Sequence, residues 1–238
     1  MSVTISKSNL HEMLQFKAFD GVSDLCRKAL AHHSVVKILK KSEYVWQKGD
    51  AGECAILILS GLVEISTTTQ NGDERIIGLF GPGEMIGLSA ILKQGAYPAD
   101  AVVSSKQARI LKLYIRGIDQ ELPEIEKRDL HVWLREMLLI HEQILRDKIM
   151  ILGAGRLHTK LIELFEHLRI RFAPKELQDN FLIPVPVTKT QIAKMIEARV
   201  ETVIRTLNKW EKAKYIQFSD VGIQIRNLEK LKTLEEVE

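Results

Sequence analysis

An α+β fold is predicted: an N-terminal antiparallel β-roll of jelly-roll type, a long dimerisation helix, and a C-terminal winged helix-turn-helix. Three observations predict it. Between about Val35 and Leu113, short β-type runs such as CAILILS and RIIGLF alternate with glycine, and nine of the fourteen glycines fall in that stretch. Many short strands broken by turn residues argue for a barrel or roll. After Pro123 a helical period holds for nearly thirty residues. From Val187 to Ile216 two short amphipathic helices follow each other across a tight turn.

The elements follow in order. Leu10, Met13 and Leu14, then Leu25 and Ala29, recur at helical intervals and make the first thirty residues helical. Within the β region, Asn71-Gly72 is the strongest hairpin signal, because both residues tolerate the positive φ of a two-residue turn. Gly81-Pro82-Gly83 can only be a loop. In the long helix, Leu130, Leu134, Met137, His141, Ile144, Lys148 and Ile151 follow a 4-3-4-3 rhythm. That is a coiled-coil seam. Leu138, Leu145, Ile149 and Leu152 widen the apolar surface, so a helix about 40 Å long needs two partners: its own β-roll and a second copy. Gly153-Ala154-Gly155 breaks it. An amphipathic helix from Arg156 to about Phe172 follows, then an irregular connection marked by Pro174, Pro184 and Pro186. IQFS and GIQIR, around Gly222, read as a β-hairpin wing.

Composition bounds the function. Hydrophobic content of 45% and charged content of 27% fit a globular chain with a full core. No stretch approaches the roughly twenty apolar residues that span a bilayer. The opening MSVTISKSNLHEML has no apolar run behind a basic patch, so no secretory segment and a cytoplasmic location are expected. Two cysteines, Cys26 and Cys54, make neither a disulfide framework nor a four-thiolate cluster, and no metal or other cofactor is expected. There is no His-x-x-x-His, Cys-x-x-Cys or phosphate-binding Walker loop, so the chain is not expected to be an enzyme.

The charge is asymmetric. Residues 1–152 hold 19 Lys/Arg and 19 Asp/Glu, whereas residues 153–238 hold 15 and 12, so the whole net charge of +3 lies in the last third. Thr188 and Gln191 form a capping box at the start of the first short helix. Ile192, Met195 and Ile196 make one apolar stripe; Val200, Val203, Ile204 and Leu207, continuing to Trp210, make a second. The two stripes must fold together. That leaves Arg199, Glu201, Thr202, Arg205 and Lys209 outward on the second helix. In a helix-turn-helix this helix enters the major groove, where Arg pairs with guanine and Glu accepts from cytosine. Double-stranded DNA is the expected partner, with Glu201 and Arg205 on base edges and Lys189, Thr190 and Lys209 on phosphates.

Two patterns in the right order carry a resemblance. VWQKGDAGECAILILSGLVEI with NGDERIIGLFGPGEMIG resembles a cyclic-nucleotide-binding β-roll, and TKTQIAKMIEARVETVIRTLNKWEKAKYI resembles a winged helix-turn-helix with a Glu-Thr-Val-x-x-Arg core. Over nearly its whole length the chain is identified as resembling the CRP/FNR superfamily of bacterial transcription regulators. The resemblance implies an effector-sensing domain at residues 1–119, a dimerisation helix at 120–152 and a DNA-binding domain at 153–238. It also implies a homodimer on a palindromic promoter site, and contact with RNA polymerase. The candidate effector pocket is Gly87, Leu88, Ser89, Pro98 and Ala99, with His141 from the long helix.

Departures from the family pattern matter. Cyclic-AMP-responsive members carry a Glu after the glycine and a later Arg-Ser pair; Leu88, Pro98 and Ala99 stand there instead. A phosphodiester without its Arg is a buried unpaired charge, which is costly, so cyclic AMP is not expected as the effector. The cysteines of oxygen-sensing members are missing too. Glu197 occupies the turn position usually given to glycine, and Arg199 replaces the usual Ser or Thr cap. His141 on the seam either sets register as a hydrogen-bonded polar residue or acts as a pH, ligand or metal switch. The alternative function class is a ligand-binding module acting through protein contacts without DNA.

Overall fold

The computed structural model describes residues 7–175 and 179–234. Residues 1–6, on which part of the expectation about a secretory segment rests, lie outside the described residues. In chain order come α1 (Lys7–Met13), a 3-10 turn (Lys17–Phe19), α2 (Asp24–His32), β1 (Ser34–Lys40), β2 (Tyr44–Trp46), β3 (Ala55–Ser60), β4 (Val63–Thr68), β5 (Glu74–Phe80), β6 (Met85–Ile86), α3 (Leu88–Leu92), β7 (Asp100–Val103), β8 (Gln107–Leu113) and α4 (Ile118–Glu121). The long α5 (Glu124–Gly153) is followed by α6 (Leu157–Phe172), β9 (Phe181–Ile183), α7 (Lys189–Met195), α8 (Val200–Lys212), β10 (Ile216–Ser219), β11 (Gly222–Ile225) and α9 (Leu228–Thr233). They form two compact units. The first runs to Thr67 and resumes over Leu79–Gln143; the second takes in Thr68–Gly78 and the chain from Ile144 onward.

The first unit is built on two antiparallel sheets of four strands, ordered β1-β8-β3-β6 and β2-β7-β4-β5. β3 is buried over Ala55–Leu59, which explains its continuous apolar run. Ala55, Leu57 and Leu59 join Leu111 and Leu113 in one core cluster with Cys26 and Leu30 of α2 and Leu130, Trp133, Leu134 and Met137 of α5. Helices therefore cover the face of β3 that carries Ala55, Leu57 and Leu59, and Ile56 and Ile58 on its other face are fully buried as well, so neither face admits polar residues. Trp133 is fixed twice: its ring stacks on Phe19 at 5.4 Å, and its Nε1 donates to the Ala18 carbonyl at 2.6 Å.

This packing corrects one expectation. The seam assigned to a second copy is filled by the chain itself, with Leu130, Leu134, Met137, Ile144 and Ile151 all no more than 8% exposed. A heptad rhythm records that a helix is covered along one stripe, and it does so equally for a β-roll and for a second helix. The apolar side chains left in solvent on α5 are others, including Ile125, Val132, Leu139 and Ile140.

In the second unit α7 and α8 form the helix-turn-helix, and β10, β11 and β9 form a three-stranded antiparallel sheet in that order. The wing hairpin lies where the sequence predicted it. β9 lies in the stretch read as irregular, where Pro184 and Pro186 hide the three-residue run Phe181–Ile183. Gly222 is indispensable at the wing turn, because a Cβ there would sit 2.0 Å from the Ile183 carbonyl oxygen.

Candidate nucleic-acid interface and β-roll pocket

The capping box at the start of α7 is complete: Thr188 Oγ1 accepts from the Gln191 amide, and Gln191 Oε1 accepts from the Thr188 amide at 2.9 Å. It sets the direction of α7, whose Ile192, Ala193 and Met195 are buried. The turn is made by Glu197 at φ 51°, the left-handed conformation glycine usually supplies, at a cost of about 1 kcal/mol. Arg199 then stands at the N-cap of α8, and its side chain makes no capping hydrogen bond.

α8 is divided sharply. Val203, Thr206, Leu207 and Trp210 are buried, whereas Arg199, Glu201, Arg205 and Lys209 are exposed. Trp210 anchors the helix against α6, with its ring 5.4 Å from His158 and 6.3 Å from Phe165. Thr206 donates its hydroxyl to the Thr202 carbonyl at 3.0 Å, inside the helix. Glu201 and Arg205 enter no ion pair among the described residues. Thr202 is half-buried beside them and Thr190 is exposed on α7. Lys189 is placed differently from the rest. Its ammonium pairs with Glu211, donates to Asn208 Oδ1 and lies 5.1 Å from the Phe218 ring centroid, so it ties α7 to α8 and the wing.

Two buried titratable groups support this unit. Lys148 donates to the main-chain carbonyls of Ile76 and Met195, and burial holds its pKa down to about 8. The His167 pKa is pushed down to about 4, first by burial and then by the Arg171 guanidinium; Asp147 opposes the shift without overcoming it. A neutral ring suits both neighbours: Nδ1 donates to Asp147 at 3.2 Å and Nε2 accepts from Arg171 at 3.2 Å. The sequence alone does not single out His167 for this role. Its offset from Arg171 by one helical turn was the available signal.

In the first unit Gly87 precedes α3 at φ 84°, and a Cβ on it would meet the Tyr97 ring at 3.1 Å and the Trp46 ring at 3.3 Å. Those rings stack at 4.1 Å and are both buried. Trp46 Nε1 donates to the Ala99 carbonyl at 2.8 Å, and the Tyr97 hydroxyl donates to the Cys54 carbonyl at 2.6 Å. Burial raises the pKa values of Tyr97 and Cys54, so both stay protonated at neutral pH. The main chain is stitched as well: Gly49 and Gly52 donate to the carbonyls of Tyr97 and Gly95, and Tyr97 donates to Asp50, each at 2.9 Å.

Leu88 is fully buried, Ala99 nearly so, and Ser89 and Pro98 are exposed. Gly87, Leu88, Ser89, Pro98 and Ala99 include no cationic side chain, and the Trp46–Tyr97 pair lies against the glycine. His141 stacks near Phe80 at 5.9 Å, and its Nε2 bonds the Met85 carbonyl. It thus reaches the strand leading into Gly87 rather than a seam with a second copy. Among the described residues no His, Cys, Asp and Glu cluster is arranged to hold a metal, and no helix is long and apolar enough to cross a membrane.

The chain thus sets a β-roll ahead of a helix-turn-helix whose second helix exposes Arg199, Glu201 and Arg205. A cyclic nucleotide-binding domain model matches residues 36–120, and a Crp-like helix-turn-helix domain model matches residues 155–234. The chain belongs to the CRP/FNR family of transcription regulators. It is 24% identical over 215 residues to the CRP-like cAMP-activated global transcriptional regulator of Mycobacterium tuberculosis, covering 90% of this chain and 93% of that protein. It is 24% identical over 205 residues to the fumarate and nitrate reduction regulatory protein of Salmonella typhi, covering 83% and 77%. FixK2 from Bradyrhizobium japonicum shares the fold with a TM-score of 0.69 at 16% identity, over 84% of this chain and 96% of that one.

Proposed function

We propose that this regulator acts as a homodimer on a palindromic DNA site and that its β-roll answers to an effector other than cyclic AMP. The observation that carries the DNA reading is the division of α8: apolar side chains lock one face into the domain, while Arg199, Glu201, Arg205 and Lys209 stand in solvent on the other. A carboxylate beside so many phosphates is unfavourable unless it accepts from a base, and cytosine N4 is the donor suited to it. Glu201 and Arg205 read bases, while Thr190, Thr202 and Lys209 position the helix on the backbone. Residues 1–119 serve as the sensing domain, 120–152 as the dimerisation helix and 153–238 as the DNA-reading domain. RNA polymerase is the protein partner that family membership suggests. Selection from random DNA tests the reading: an enriched inverted repeat is expected, and no enrichment at low salt would remove it.

The dimer surface follows from exposure rather than from the seam. Ile125, Val132 and Leu139 recur every seven residues on α5 and are 71%, 37% and 59% exposed. Covering three such side chains on each copy yields about 5 kcal/mol per chain before association costs. A second copy is the occupant that a heptad stripe fits best.

The effector reading rests on Leu88, Pro98 and Ala99 and on the Trp46–Tyr97 stack beside Gly87. Isothermal titration with cyclic AMP is expected to give no heat of binding at micromolar protein. A micromolar dissociation constant would mean that another group neutralises the phosphate.

A further inference from the structure

The second unit contains a cleft of about 420 Å³ whose walls include Asp73, Glu74 and Arg75 from the tip of the β4–β5 hairpin and Lys194, Glu197 and Arg199 from the helix-turn-helix. The two walls are cross-paired. Glu74 binds the Lys194 ammonium, and Arg75 Nη1 lies 3.3 Å from Glu197 Oε2. Beneath them Lys148 donates to Ile76 of the hairpin at 3.0 Å and to Met195 at the end of α7. The hairpin therefore grips the turn that sets the start of the recognition helix.

We propose that the tip of this hairpin is an autoinhibitory latch: Glu74 occupies Lys194 where a DNA phosphate must otherwise bind, so that DNA and hairpin compete for the head of α8. The proposal rests on the DNA-binding reading. Lys194 and Arg199 flank the turn before α8, where a helix-turn-helix meets the phosphate backbone. An acidic side chain held at that place is a phosphate mimic. The tip pairs are also built to be exchangeable. The side chains of Glu74 and Arg75 are 45% and 52% exposed, and those of Lys194 and Glu197 are about a third exposed. Ion pairs in that setting are weak and screened by salt, unlike the Lys148 contacts, which are shielded and go to the main chain. The base of the latch is thus fixed and its tip is releasable. By linkage, whatever loosens the tip tightens DNA binding to the same degree.

Binding of the full-length protein to its selected DNA site, for wild type, Glu74→Gln, Lys194→Gln and the double variant, tests this at low and moderate salt. Glu74→Gln is expected to raise affinity by about three- to ten-fold at low salt, with the gain shrinking as salt rises. The gain is expected to vanish in the Lys194→Gln background, because the competition runs through that ammonium. Hydrogen exchange in residues 68–78 is expected to quicken when DNA is added. An unchanged or reduced affinity for Glu74→Gln overturns the latch, and so does a gain that persists without Lys194, which is generic charge relief. Wild-type protein that retains no DNA removes the DNA-binding reading itself and the latch with it.

Discussion

Glu201 and Arg205 lie four residues apart on an exposed helix face and pair with nothing among the described residues, so their charges are spent on whatever the helix meets. Arg205→Ala is expected to cost about 1–3 kcal/mol in binding and to relax base choice at one position in each half-site. Lys209→Ala is expected to weaken all sequences alike and to flatten the salt slope by about one unit. An unchanged preferred site for Arg205→Ala sends base reading elsewhere. His167 makes a different kind of prediction. In the unfolded chain it takes a proton below about 6.5, whereas in the folded protein it stays neutral down to about 4. The unfolded state therefore binds more protons between those values, and stability present above pH 6.5 is lost as pH falls towards 4. The loss is on the order of 1–3 kcal/mol. Denaturant midpoints at pH 7 and pH 5 are expected to differ more for wild type than for His167→Gln, and equal differences would show that the ring carries none of the slope. The outward residues of α8 were legible because helical period alone decides which face is free. The tie of Lys189 to Glu211 was not, because it depends on how α7 and α8 cross.

Elements were legible where a local rule fixes them. Thr188 and Gln191 announced the start of α7, the left-handed Glu197 stood where a glycine was missed, and Asn71-Gly72 announced the β4–β5 hairpin. Short elements without punctuation escaped. β9 has three residues and α3 five, too few for a period to emerge. The β-roll pocket was legible only as a substitution pattern: Leu88, Pro98 and Ala99 say what a phosphate would lack. What lies beside Gly87 is the Trp46–Tyr97 stack, two rings fifty-one positions apart in sequence that meet only once β2 and the segment before β7 are brought together. α5 is the informative failure. Its apolar rhythm marks a covered stripe, yet Leu130, Leu134 and Met137 are covered by the first unit's own core, since a seam carries no label for its partner.

At the scale of the whole molecule that distinction separates two substitutions two residues apart. Met137 is 8% exposed inside the core with Leu130 and Trp133, whereas Leu139 is 59% exposed on the opposite side of the same helix. Met137→Glu places a carboxylate in the roll, at a cost of several kcal/mol, and is expected to lower the melting temperature sharply or prevent folding. Leu139→Glu leaves the roll intact. Two copies meeting along Ile125, Val132 and Leu139 would then face like charges across an apolar stripe, so the variant is expected to sediment as a folded monomer. DNA binding should fall with it, because one recognition helix reads one half-site and the second half-site supplies a comparable share of the contacts. The two effects are coupled through concentration: raising the protein should restore dimer and DNA binding together if the stripe is the interface. A Leu139→Glu protein that remains dimeric with wild-type melting behaviour would move the interface off this stripe, and Leu145, Ile149 and Met150, exposed at 49–68% nearer the end of α5, would be the surface to vary next.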